Sequence, residues 1–225
     1  MAKSTRKQYN LSNKIKICLT AGAVVAGSLL WITFGKGKPI PVFPYYAARV
    51  IDGDTFVTKE KQVIRIASVD APNLGRCGDI EAKRYLEKLI MGKPLYLKVY
   101  FRDPYQRLIS AVYTDDGLVN EKLVEKGVAY YFSTTAEIGE QIRVTGDKAR
   151  QKGIGIYSSV CTQMTNKDQP NCQIKGNNLV EKIYFLPGCR TYDTVFVQLY
   201  KGDKWFCTES EAIKEGFRKA LSCPK

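Results

Sequence analysis

Val50-Ile51-Asp52-Gly53-Asp54-Thr55 opens a segment that continues through Gln62-Val63-Ile64-Arg65-Ile66 to Ser68-Val69-Asp70-Ala71-Pro72, and the architecture of this 225-residue chain can be built outward from it. Asp52-Gly53 between two runs of strand-forming residues is hairpin chemistry. Alternation along the next run sends Ile64 and Ile66 to one face and Arg65 to the other. Strands are therefore predicted over 47–51, 55–59 and 62–69, and again over 95–101 and 107–114, with Asp115-Asp116-Gly117 as a further turn. Between the third and fourth strands, Ala82, Tyr85, Leu86, Leu89 and Ile90 repeat at helical spacing over 79–91, with Asp79 as a cap and Gly92 as the stop. Helices are also expected over 119–126 and 135–152, the latter weakened by Gly139 and Gly146. Three strands, a helix, two strands and a helical tail is the order of an α+β fold, a five-stranded Greek-key barrel of the OB type.

The chemistry open to the chain is bounded by a sharp exclusion: it contains no histidine. Imidazole general bases, His-ligated zinc and Ser/His or Cys/His nucleophile pairs are all ruled out. Carboxylates, guanidinium groups and a hard cation remain. Asp54 and Asp70 lie at strand ends, where oxygen ligands suit Ca²⁺ or Mg²⁺. Arg65 and Arg107 carry planar forks of donors that fit phosphate oxygens and the added charge of a five-coordinate phosphorus. Taken singly, each residue also fits an ordinary reading: a tight turn for Asp54, an Asx turn for Asp70, a solvated strand or loop charge for the arginines.

Taken together they resemble a family. Asp52-Gly53-Asp54-Thr55, Arg65, Asp70-Ala71-Pro72, Asp103-x-Tyr105-x-Arg107 and the run Leu118-Val119-Asn120-Glu121-Lys122-Leu123-Val124-Glu125-Lys126-Gly127-Val128-Ala129 resemble the staphylococcal nuclease (thermonuclease) family over residues 46–163. The resemblance implies an OB-fold domain and Ca²⁺-dependent hydrolysis of DNA and RNA to 3′-phosphate ends. By position it implies that Asp54, Asp70 and the Ala71 carbonyl bind Ca²⁺, that Arg65 and Arg107 hold the scissile phosphate, and that Tyr105 meets the nucleotide. One position departs from the pattern: Asn73 stands where the family carries a glutamate that acts as general base or orients water. An amide takes no proton at neutral pH, so either a slow nuclease or a nucleic-acid-binding protein without turnover is expected. Asp79 and Glu81 are the nearby carboxylates available as substitutes.

The flanking segments set the context. Ile17–Phe34 is free of charge and close to the roughly 20 residues a membrane-spanning helix needs. It ends in bulky Leu30-Trp31-Ile32-Thr33-Phe34 rather than in the small residues of a cleavage site, which favours a retained signal anchor. Lys3, Arg6, Lys7, Lys14 and Lys16 precede it, placing residues 1–16 in the cytoplasm and the rest outside the cell membrane. With Lys36 and Lys38 these basic residues account for much of the +13 net charge, so charge alone is weak support for a nucleic-acid partner. Residues 35–45 read as a Pro-rich spacer, 164–170 as a linker, and 171–225 as a small Cys-containing α+β module of unassigned role. Beyond the apolar run lie Cys77, Cys161, Cys172, Cys189, Cys207 and Cys223, an even set suited to disulfides in an oxidising compartment. Cys77 and Cys161 are expected to pair. The last four could form two disulfides or a zinc site, and the absence of Cys-x-x-Cys spacing favours disulfides.

Overall fold

A computed structural model describes residues 43–132, 137–178 and 180–224. The proposed membrane anchor at 17–34 and most of the Pro-rich spacer lie outside the described residues; among those described, no helix is long and apolar enough to cross a membrane.

The hairpin expected at Asp52-Gly53 joins β1 (Ala47–Val50) to β2 (Thr55–Thr58), and the Ile51 amide closes the turn on the Thr55 carbonyl at 2.9 Å. Gly53 is required there by close approach: a Cβ would stand 2.5 Å from the Cβ of Ala82 and 2.6 Å from that of Ala71. The turn carrying Asp54 is thereby pressed against the first helix and the residues after the fourth strand. β3 (Val63–Ile66) pairs antiparallel with β2 and buries Ile64 and Ile66. The chain then makes the short β4 (Val69–Asp70) and enters α1 (Asp79–Ile90), whose Ala82, Leu86, Leu89 and Ile90 face the core. The cap is Gly78 in the left-handed region rather than Asp79, which is already the first helical residue.

β5 (Tyr96–Arg102) and β6 (Leu108–Thr114) form a second hairpin, extended by β7 (Gly117–Leu118); α2 (Val119–Glu125), β8 (Tyr130–Tyr131), α3 (Gly139–Gln151) and β9 (Thr162–Gln163) follow. Gly139 and Gly146 both lie on the buried face of α3. The sheet runs β1-β2-β3-β6-β5, with β3 and β6 parallel. Its two outer strands meet at one bridge, Tyr45 with Leu95, through two 2.8 Å hydrogen bonds. The expected barrel is thus a mixed sheet whose edges touch at a single point; no closed ladder forms among the described residues. Asn120 is fully buried and ties α2 to this sheet, accepting from the Val112 amide at 2.9 Å and donating to the Ala67 carbonyl at 2.7 Å.

The C-terminal part has its own four-stranded sheet, β13-β10-β11-β14, from β10 (Ile174–Asn178), β11 (Lys182–Phe185), β13 (Lys204–Phe206) and β14 (Arg218–Lys219). α4 (Glu209–Lys214), capped by Thr208, packs over it on Ile174, Tyr184, Phe206 and Phe217. Residues 164–170 run in turns between the two parts, yet the segments they connect are joined. β12 (Val197–Gln198) pairs with β9, and Tyr200 is buried against Ala149, Ile156, Tyr157 and Cys161.

Three disulfides are formed: Cys77–Cys161, as their positions suggested, and Cys172–Cys207 and Cys189–Cys223, which sequence alone left unpaired. All four C-terminal cysteines are used, so none remains for a zinc site. Cys77–Cys161 spans 84 residues and underlies Tyr200. Closing so long a loop restricts the unfolded chain, a contribution of roughly 4 kcal/mol. A Cys77→Ser, Cys161→Ser double variant is expected to lower stability by roughly 2–5 kcal/mol in denaturant unfolding. Unchanged stability, or free thiols in the non-reduced chain from Lys38 onward, which lacks Cys18, would contradict this assignment.

Candidate active site

The site is assembled at one end of the sheet, where β2, β3 and β4 bring distant residues within contact. Asp54, in the turn just before β2, is buried at 5% exposure. One of its oxygens accepts from the Ala71 amide at 2.6 Å; the other accepts from the Thr55 hydroxyl at 2.9 Å and faces Arg65 Nε at 3.2 Å. Asp52 accepts from the Asp54 amide at 3.1 Å, which holds the turn closed. Asp70, at the end of β4, accepts from Arg65 Nη2 at 2.6 Å on one oxygen and from the Tyr130 hydroxyl on the other. Arg65 completes the connection by donating from Nη1 to the carbonyls of Ile66 at 3.1 Å and Val69 at 2.7 Å. A single guanidinium therefore bridges the two carboxylates, and most of its donors are spent on protein acceptors.

Burial dominates the electrostatics of Asp54. Desolvation pushes its carboxyl up to about 7 from an ordinary value of 3.8, against the opposing attraction of Arg65; the charge of Asp52 adds to the rise, and the bonds from Ala71 and Thr55 oppose it. One guanidinium shared between two carboxylates leaves Asp54 short of positive charge. For Tyr130, burial and then its hydrogen bond to Asp70 push the phenol well up, so it stays a donor.

Arg107 occupies a different position. It lies just before β6, whose parallel register with β3 pairs Ile64 with Leu108 and Arg65 with Ile109. Arg107 therefore sits two positions behind Arg65 on the same face of the sheet. Asp103 holds it by two bonds, from the Arg107 amide at 2.9 Å and from Nε at 2.8 Å. Burial pulls the Asp103 carboxyl upward but is outweighed by these bonds, and the group is held below its usual range. No protein acceptor engages either Nη of Arg107 among the described residues, and none of its bonds reaches Asp54 or Asp70. Tyr105 is 81% exposed at the tip of the same turn, its ring 5.4 Å from the Arg107 guanidinium carbon.

Asn73 is exposed, in a turn whose carbonyl accepts from the Arg76 amide at 3.0 Å. Neither carboxylate considered as a substitute base is free beside it. Asp79 spends its two oxygens on the amides of Gly75 and Ile80, each at 2.6 Å. Glu81 lines a separate cleft of about 780 Å³ beside Tyr85 and Val160. Reading the sequence missed Tyr130, which reaches Asp70 only because β8 pairs with β4 and sets Asp70 opposite Tyr130. It also gave Thr55, Asp52 and Asp103 no role of their own.

Comparison with known proteins shows what the chain resembles. Residues 63–159 match the family described as staphylococcal nuclease homologue. That stretch contains Arg65, Asp70, Ala71, Asn73, Tyr105 and Arg107, while Asp54 and the C-terminal sheet lie outside it. An uncharacterized endonuclease of Escherichia coli is 29% identical over 114 residues, covering 49% of this chain and 74% of that protein. A staphylococcal-like nuclease of Arabidopsis thaliana is 30% identical over 103 residues, 46% of this chain and 32% of that protein. A probable staphylococcal-like nuclease of rice (Oryza sativa subsp. japonica) is 35% identical over 77 residues, 34% of this chain and 23% of its own length. The chain thus spans a third or less of the two plant proteins.

The raised carboxyl of Asp54 has a measurable consequence. Between pH about 4 and 7 the folded protein keeps a proton on Asp54 that the unfolded chain has already lost, so stability falls as pH rises through that window and levels off above it. In metal-free buffer, the melting temperature of wild type relative to Asp54→Asn is expected to decline from pH 4 to pH 7. A difference that stays flat or rises would contradict the burial argument.

Proposed function

We propose that this chain is a membrane-anchored, extracytoplasmic, Ca²⁺-assisted nuclease that hydrolyses phosphodiester bonds of DNA or RNA with little sequence preference. The observation that carries this reading is the convergence of Asp54 and Asp70 on one cation, Arg65. The family match and the endonuclease names of the relatives support it, and the apolar run at 17–34 supports the anchor.

The donor set fits a hard cation. It is all oxygen, and Asp54 is a buried carboxyl that one shared guanidinium leaves short of positive charge, so a divalent ion would stabilise its ionised form. Asp54, Asp70 and the Ala71 carbonyl would hold Ca²⁺, which when bound supplies Lewis-acid polarisation of a phosphate oxygen and acidifies water. The residues of the chain do the rest. Tyr130 keeps one oxygen of Asp70 fixed, and Asp103 aims Arg107 so that its two unengaged Nη groups can take non-bridging phosphate oxygens. Tyr105 offers an exposed ring on which a base can stack. Water attack must proceed without a carboxylate at position 73; Asn73 can orient water through its amide oxygen and cannot take its proton. The products are assigned 3′-phosphate ends, as in the family.

A second reading is favoured by that same residue: a surface protein that binds nucleic acid on this face and does not cut it. The two readings separate in a cleavage assay on the purified chain from Lys38 onward, with single-stranded DNA and either Ca²⁺ or a chelator. Slow cleavage that needs Ca²⁺ and disappears in Asp54→Ala and Asp70→Ala is expected, with Arg107→Gln about 10²-fold slower. Asn73→Glu is expected to raise the rate by at least about 10²-fold through general-base catalysis. DNA bound and never cut by wild type would establish the second reading instead.

A further inference from the structure

The C-terminal sheet has no part in the chemistry above, yet it delivers a charged residue to the edge of the site. Lys201 ends the turn of 3₁₀ helix that follows β12, directly after the buried Tyr200. Its ammonium lies over two rings, 5.3 Å from the centre of Tyr130 and 5.7 Å from that of Tyr200. Tyr130 is the residue whose hydroxyl donates to Asp70. Lys201 is half-buried, and among the described residues it has no hydrogen-bond acceptor and no ion pair. Burial and the nearby Arg150 push its pKa down, while Asp203 and Asp70 act in the opposite sense, which places Lys201 within electrostatic reach of Asp70.

A second cation approaches from the other side of the seam. Arg76 lies in the loop between β4 and α1, within electrostatic reach of the Tyr130 hydroxyl, and it too has no side-chain acceptor or ion pair among the described residues. Its guanidinium lies against the backbone of Gly202, where a Cβ would stand 2.9 Å from Arg76 Cζ. The φ of +86° at Gly202 is one that glycine adopts without strain. The acid nearest Lys201 in sequence, Asp203, is buried and already spent on the amides of Asn178 and Gln198, each within 2.9 Å, and on Asn177 Nδ2 at 2.8 Å, while Asp79, the acid nearest Arg76, is spent on the amides of Gly75 and Ile80. Two cations are therefore held near Tyr130 with no ion pair or hydrogen-bond acceptor of their own among the described residues, beside the residue that donates to Asp70.

We infer that Lys201 and Arg76 form a phosphate subsite across the seam between the two sheets, binding a backbone phosphate next to the one that is cut. This inference rests on the nuclease reading for its ligand, a single-stranded polyanion. It assigns the C-terminal module a share of substrate binding. Arg107 and the subsite then approach the carboxylate pair from different elements, one from the β5–β6 turn and the other from the seam.

Counterion release provides the test, because each phosphate contact to single-stranded nucleic acid contributes about 0.7 to the slope of log Kobs against log salt. Binding of a fluorescent oligo-dT to the chain from Lys38 onward is measured in chelator, so that no cutting occurs, for wild type, Lys201→Gln, Arg76→Gln and Lys201→Arg. The slope is expected to fall by about 0.7 in each glutamine variant and to be retained in Lys201→Arg. Slopes unchanged in both glutamine variants, each with the wild-type circular dichroism spectrum, overturn the subsite. Should one variant fail to fold, the other decides. Cleavage in Ca²⁺, followed in parallel, keeps the two claims apart. A wild type that cuts with no slope change in the variants ends the subsite and leaves the nuclease; a wild type that never cuts but loses slope in the variants does the reverse.

Discussion

Two carboxyl groups sixteen residues apart in the chain, Asp54 and Asp70, share one guanidinium, and most of what surrounds them keeps that arrangement in place. Burying a carboxylate is costly unless it is paired and hydrogen-bonded. Asp54 meets the condition with an amide, a hydroxyl and Arg65, and still holds its proton to about 7. Gly53 lets the turn press against Ala71 and Ala82, the parallel pairing of β3 with β6 carries Arg107 onto the face of Arg65, and Asn120 ties the Ala67 carbonyl to β6 through α2. The fold holds two acidic side chains on one guanidinium.

Much of this was legible in the residues. The Asp-Gly turn and the helical spacing of Ala82, Leu86 and Leu89 gave elements within a residue or two of those observed, because local backbone chemistry and one buried face set them, whereas the single strand expected over 62–69 ends at Ile66 and resumes as β4 at Val69. Where the sequence misled, tertiary contacts had the last word. Asp79 reads as a cap, yet Gly78 can adopt the left-handed conformation there and Asp79 turns back to the Gly75 amide. The ladder of a full barrel reduces to the Tyr45–Leu95 bridge, since nothing in a strand pattern tells how far two edges will pair. Tyr130 was not visible at all: it lies 60 residues from Asp70, and only the short pairing of β4 with β8 brings them together. For Arg65 the sequence suggested a phosphate clamp, and the structure shows its donors turned inward to carboxylates and carbonyls.

That inward turn separates the two arginines. Among the described residues Arg107 keeps its outer donors unengaged, since Asp103 grips its amide and Nε, whereas Arg65 balances buried negative charge. The C-terminal part bears on the same place from behind. Tyr200 packs on Tyr130 with ring centres 5.6 Å apart, and the Cys77–Cys161 bridge closes the loop beneath it. A segment that resembles an appended module is thus in contact with the residue that orients Asp70.

The central claim is that the carboxylate pair is a divalent-cation site in which Arg65 stands as the resident counter-charge. Nitrogen-15 NMR of the Arg65 Nε during a Ca²⁺ titration of the chain from Lys38 onward tests it most directly. A saturable shift of that resonance at one Ca²⁺ per chain, lost in Asp70→Asn, is the predicted result. An Arg65 signal that does not move while Ca²⁺ binds elsewhere, or a chain that binds no Ca²⁺, would contradict it.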